Sequence, residues 1–302
     1  MWRPSPDDEN QLRLRPKSWS DVLAWLSLSA GLVFYFGVGT HSLRQPGLQY
    51  DEAFDAVHAL EVLQRKTPSC ADSTRLFGPD LPLMVHPHIG PTTVYTSLAA
   101  FAVSGPSVES LRSSQLVVGG VALFLLFLLG YDWFGPRAAA LAVLLCGSAP
   151  AFVWWSRGGA NWTVPMLPLA LGGLLALSRW WERRGGAALI LASFLFGLGI
   201  TTKILFVWLA LPLLVVGLLA IGAGEISRAL RSTKPSTIAV ALAAFGLGLA
   251  PLIAHNLPEP NTLDHVWRNS STTAWGHDNR NFVGNLVFAV ATSSGCSTAK
   301  SS

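Results

Sequence analysis

Seven apolar runs punctuate this chain, at about 20–40, 113–131, 138–155, 163–180, 187–202, 204–222 and 237–255. Each approaches the roughly 20 residues that carry a helix across a hydrocarbon core of about 30 Å. Lipid offers no partner to backbone N–H and C=O groups, so runs of this kind are helices. Of the 302 residues, 51% are hydrophobic and only 13% charged, against roughly 25% charged in a soluble domain. That excludes a disordered chain and argues against a single soluble core. The reading is an all-α, polytopic membrane protein. The 12 Trp and 28 Gly agree with it, since Trp gathers at membrane interfaces and Gly is frequent in spanning helices. The net charge of +4 is spread over short loops, which gives nucleic-acid binding no support. Three Cys, at Cys70, Cys146 and Cys296, show no CxxC spacing and suggest no thiolate metal site.

The first run, from Trp19, is long for a signal-peptide core and reads as an anchor that stays. The run from Ala187 to Ala223 is too long for one span, and Thr201-Thr202-Lys203 divides it with a tight turn. Ile89 to Gly105 is an eighth candidate, containing Pro91 and several Thr and Ser. Charge decides against it. If it spanned, with the N-terminus cytoplasmic, Arg179/Arg183/Arg184 and Arg228/Arg231/Lys234 would both lie outside, against the positive-inside rule. If it lies in the interface, both triplets become cytoplasmic, together with Arg3, Arg13, Arg15, Lys17 and Arg137. Only Arg112, Arg157 and Lys203 then remain in short outer connections.

The organisation expected is therefore a cytoplasmic tail over 1–18, a transmembrane module over 19–256 and an outer tail over 257–302. The module has about seven spans, with juxtamembrane helices in an outer loop over 41–112. All seven His fall on the outer face or at its edge, as do Asp51, Glu52, Asp55, Asn161 and the cations Arg157 and Lys203. Span interiors carry almost no ionisable residues, which counts against ion-coupled transport.

Gln49-Tyr50-Asp51-Glu52 opens an amphipathic stretch reaching about Gln64, with Phe54, Val57, Leu60 and Leu63 on one side and His58, Glu61 and Gln64 on another. Such a helix lies on a membrane surface. Asp51 and Glu52 are placed either to cap it or to take a proton. His86-Pro87-His88 offers two ligand-type side chains, but its prolines prevent helical i, i+4 metal geometry, so it reads as a rigid floor. Arg157, in Ser156-Arg157-Gly158-Gly159-Ala160-Asn161, either snorkels to the interface or meets an anion. Lys203 is either a turn residue or a contact for an outer-leaflet phosphate. No metal or other cofactor is called for.

In order and spacing, these motifs resemble the GT-C superfamily of membrane glycosyltransferases. They are the acidic pair Asp51-Glu52, His86-Pro87-His88, Glu109-Ser110-Leu111-Arg112, Ser156-Arg157 and the turn from Gly199 to Lys203. The nearest type is the protein O-mannosyltransferase-like, aminoarabinose-transferase-like branch, glycosyltransferase family 39, over about residues 18–290. The resemblance implies a polyprenyl-phosphate sugar as donor, a hydroxyl on protein, lipid or glycan as acceptor, and chemistry on the non-cytoplasmic face of a plasma membrane. It implies Asp51 as base with Glu52 beside it, Lys203 and Arg157 on the donor phosphate, and His86, His88, Asn161 and Tyr50 around the substrate. Two departures stand out: His-Pro-His where His-Pro-Pro is common, and Asn161 where an acidic residue often follows the Ser-Arg turn. Relatives of this kind have more spans and a C-terminal domain, so the chain resembles the N-terminal half of one. The alternative is a non-catalytic membrane scaffold or half-enzyme fragment, with a transporter ranked behind both.

Overall fold

The computed structural model describes residues 18–70, 72–75, 80–158, 163–271, 273–274, 277–278, 280–281 and 283–284. All seven apolar runs are helical. The first is α1 (Trp19–Thr40), started by Ser18, whose hydroxyl accepts from the Asp21 amide. After a linker come α2 (Tyr50–Leu63), a hairpin of β1 (Asp72–Arg75) and β2 (Asp80–Met84), and α3 (Thr92–Ser104). At 13 residues α3 reaches only about 20 Å, too short to cross, and it packs on α2 instead. Then follow α4 (Val108–Phe134), α5 (Pro136–Ser148), α6 (Pro150–Arg157), α7 (Met166–Arg183) and α8 (Gly186–Thr202). The chain continues through α9 (Val207–Ile221), α10 (Ala223–Ser232), α11 (Pro235–Asn256) and α12 (Asn261–Ser271).

Among the described residues, four helices are long and apolar enough to cross a membrane, or five if α5 and α6 make one broken span. Of the expected seven, α8 is the shorter apolar helix, with 17 residues, and α7 ends in Arg179, Glu182 and Arg183. The run expected as one span over 138–155 is thus two helices, bent by 61°. Ala149 is extended before Pro150, the first residue of α6. Proline clashes with a helical residue before it and donates no hydrogen bond, so the bend falls there. The hairpin β1–β2 was not anticipated by an all-helical reading, and neither was α10, which carries Arg228 and Arg231.

Apolar surface does not drive helices together in lipid, so close approach of small residues has to. The α8–α11 contact shows this. A Cβ on Gly197 would stand 2.3 Å from the Phe245 carbonyl oxygen, and one on Gly248 would stand 2.6 Å from the Phe194 oxygen. Thr201 adds a hydrogen bond from Oγ1 to the Gly248 carbonyl, at 2.7 Å. Elsewhere α1 and α4 enclose Tyr35, whose hydroxyl donates to the Leu116 carbonyl at 3.0 Å. The helices form an integral, multi-pass membrane protein. One end of them gathers the linker 41–49, α2, the hairpin, α3, the C-termini of α6 and α8, and α12.

Candidate active site

Asp51 and Glu52 are neighbours with opposite fates. Glu52 is buried, and its carboxylate reaches back to the Gln49 amide at 2.9 Å, tying off the first turn of α2. The same carboxylate forms an ion pair with Arg112 at 2.8 Å. Asp51 is exposed and carries no hydrogen bond or ion pair among the described residues. The capping role open to either residue in the sequence is therefore taken by Glu52.

Asp51 and Glu52 line a cavity of about 540 Å³ together with Gln49, Arg112 and Arg157. Its apolar wall comes from Phe152, Trp154, Trp155, Val164 and Leu167. Phe152, Trp154, Trp155 and Arg157 come from α6, beyond the bend at Pro150. Arg157 also donates from Nη2 to the Ser42 and Gln45 carbonyls of the α1–α2 linker. Its guanidinium is thus held by main chain, and simple snorkelling does not describe it.

Lys203 lies outside the cavity lining. It follows α8 in extended conformation, and the turn closes because Phe206 folds back onto Gly199, where a Cβ would stand 2.5 Å from its ring. The stretch 86–90 is stitched to this turn. Gly90 donates to the Thr202 carbonyl at 3.1 Å, Ile204 to the His88 carbonyl at 3.1 Å, and Thr92 and Thr202 share a hydroxyl bond of 2.7 Å. The floor expected of His86-Pro87-His88 is therefore a joint between two distant parts of the chain.

Rings stack across that joint. Phe54 lies flat on His86 at 4.9 Å between centroids, and His88 lies flat on His265 of α12 at 4.6 Å. Burial, then repulsion from His265, His86 and Lys203, pushes the His88 imidazole down to about 4. Burial also lowers His86, and Asp51 works against that shift. Burial also holds the Lys203 ammonium below its ordinary value. Among the described residues, no group of three or more His, Cys, Asp or Glu is arranged to hold a metal ion.

The site thus has two polar parts, the cavity with Arg157 and the joint with Lys203. Asp51 lines the first and is felt by His86 in the second. Tyr50 is exposed and stacks on Phe54 at 6.2 Å, outside the cavity lining. Asn161 lies outside the described residues. Arg112 was passed over in the sequence as a charge in an outer connection. The signal was there, since an arginine four residues into a long apolar helix has to be paired.

One expectation about α2 is corrected. Its buried face is Glu52, Asp55, Ala56, His58, Ala59 and Val62, while Val57 and Leu63 are exposed. Ala56 and Ala59 let α2 pack closely on Val94 and Phe101 of α3, while Glu52 pairs with Arg112 and His58 Nδ1 lies 3.3 Å from the Glu61 carboxylate. Phe54 and Leu60 are partly buried against the same cluster, and Val57 and Leu63 point away.

A model of the family described as dolichyl-phosphate-mannose-protein mannosyltransferase matches residues 85–250, more than half of the chain. The chain belongs to this family. It is thereby a member of the GT-C superfamily of glycosyltransferases. The matched mannosyltransferase-family segment includes the His86-Pro87-His88 joint, Arg112, Arg157 and Lys203, and begins after Asp51 and Glu52. A solved structure of ArnT from Cupriavidus metallidurans, bound to undecaprenyl phosphate, is similar at 16% identity with a TM-score of 0.60. The likeness covers 82% of this chain and 44% of that one, and it concerns the fold. The chain therefore spans less than half the length of that protein. The search of curated proteins gave no match.

Proposed function

We infer that this protein transfers a sugar from a polyprenyl-phosphate donor to a hydroxyl acceptor on the non-cytoplasmic face of the membrane. The observation that carries this is Asp51, an exposed carboxylate with no side-chain bond among the described residues, on the wall of a cavity that also holds Arg157 and an aromatic surface. Membership in the family supports glycosyl transfer. The undecaprenyl phosphate bound to the structurally similar ArnT supports a lipid phosphate as leaving group.

The chemistry asks for few groups. The acceptor oxygen attacks the anomeric carbon while its proton passes to the Asp51 carboxylate. The bond from that carbon to the phosphate oxygen breaks, and its electron pair leaves with the polyprenyl phosphate. A phosphate leaving group needs no proton, only positive charge placed where negative charge grows. Lys203 and Arg157 supply it in this reading. Trp154, Trp155 and Phe152 offer apolar surface to the sugar ring and the first isoprenyl units.

Assaying transfer from a labelled polyprenyl-phosphate sugar in membranes tests the reading. In that assay Lys203→Ala should weaken donor binding by about tenfold or more, the effect of losing one charge-assisted hydrogen bond. Protein level should be near wild type, because Lys203 closes its turn through main chain. Unchanged donor affinity in the variant would reduce Lys203 to a turn residue.

A further inference from the structure

The ionic core of the site is one guanidinium with five hydrogen bonds. Arg112 donates from Nε and Nη2 to the two oxygens of Glu52, at 2.9 and 2.8 Å. It also donates to the Pro46 carbonyl at 3.0 Å, to the Gly47 carbonyl at 3.2 Å, and to the Leu43 carbonyl. Arg112 and Glu52 are 2% and 1% exposed. Glu52 in turn holds the Gln49 amide. The whole stretch from Leu43 to Glu52 is thus wrapped around a single side chain of α4, and Asp51 sits in that stretch.

A buried ion pair is a poor device for stability alone, because desolvation offsets much of the attraction and a neutral pair of similar size often serves as well. What a planar, bidentate fork adds is direction. Three carbonyls and one carboxylate, bound to one rigid plane, fix where α2 begins and how its first turn is rotated. That rotation decides whether the side chain next to Glu52 faces the cavity.

We propose that Arg112 is a positioning residue for sugar transfer: through Glu52 and the 43–47 carbonyls, it fixes the first turn of α2 so that the Asp51 carboxylate stands at the cavity wall. Glu52 serves this pairing and accepts no proton from the acceptor. The proposal rests on the reading of Asp51 as base.

The test uses the full chain in its native membranes, with a polyprenyl-phosphate sugar as donor. Arg112→Lys keeps the charge and the ion pair but loses the fork. Its kcat, counted per folded molecule, should fall about 10²-fold, the scale of a misplacement near 1 Å, with the donor KM unchanged. The double variant Glu52→Gln/Arg112→Gln removes both charges together and keeps amide donors for the carbonyls, and it should show the same split. Wild-type kcat per folded molecule in either variant would make the pair purely structural and overturn the proposal. A raised donor KM with kcat intact would also overturn it, by making Arg112 a donor ligand. Asp51→Asn separates the two claims. If that variant transfers normally, the base reading fails. If it is inactive while Arg112→Lys keeps wild-type kcat, positioning alone fails.

Discussion

Asp51→Asn should fold as the wild type does and lose sugar transfer by about two orders of magnitude or more, since a general base contributes typically 10²–10⁴-fold. The stability half of this expectation comes from what Asp51 does not do. It is exposed and makes no hydrogen bond or ion pair among the described residues, and the first turn of α2 is held by Glu52. Surface changes away from such features usually stay within about 0.5 kcal/mol. The activity half comes from where it stands, on the cavity wall with Arg157. Donor binding should change little, because a base acts on the acceptor proton. Thermal melting, donor affinity and transfer rate, measured on the same membranes, check the three parts. Comparable transfer by both proteins would remove Asp51 from the mechanism.

Gly90→Ala should cut transfer by a similar factor for a steric reason. A Cβ at Gly90 would lie 2.3 Å from the carbonyl oxygen of Thr201 and 2.9 Å from its carbon. These are main-chain atoms at the end of α8, so no side chain can swing aside. Either the 86–90 stretch or the α8 turn has to move, and the bonds from Gly90 to Thr202 and from Ile204 to His88 go with it. Lys203 and His88 are then drawn apart. Displacement of about 1 Å costs on the order of 10²-fold in rate, while overpacking costs about 1–3 kcal/mol of stability. The variant should therefore assemble in the membrane but transfer poorly, with donor KM raised as in Lys203→Ala. Wild-type kinetics in Gly90→Ala would detach the joint from the site.

Much of the fold is legible because lipid leaves so few solutions. An apolar run in a bilayer is a helix, and α1, α4 and α11 follow their runs to within a few residues at most ends. The bend at Pro150 was written in the sequence, but hydropathy averages over it. The hairpin 72–84 was not legible, because its strands are short and half polar. The face of α2 misled for a related reason. Periodicity finds the large apolar residues, whereas close packing here is made by Ala56 and Ala59.

In the site, the topology read from the positive charges assigned Asp51, Arg157, His86, His88 and Lys203 to one face of the helices. It left open which residue meets which. The separation of Glu52 from Asp51 depends on Arg112, 60 positions away, and the partner of the His86-Pro87-His88 stretch lies beyond residue 200. Contacts at that range follow from tertiary packing, and no local spacing encodes them.

In the proposed reaction a lipid phosphate leaves as a hydroxyl attacks. Its direct measurement supplies membranes with a polyprenyl-phosphate sugar, labelled in the sugar, and follows label, released lipid phosphate and anomeric configuration together. One polyprenyl phosphate should be released per glycoside formed, with an inverted anomeric centre, since a single displacement assisted by one base turns that carbon over. Label drawn instead from a nucleotide sugar, or a product with retained configuration, would contradict it.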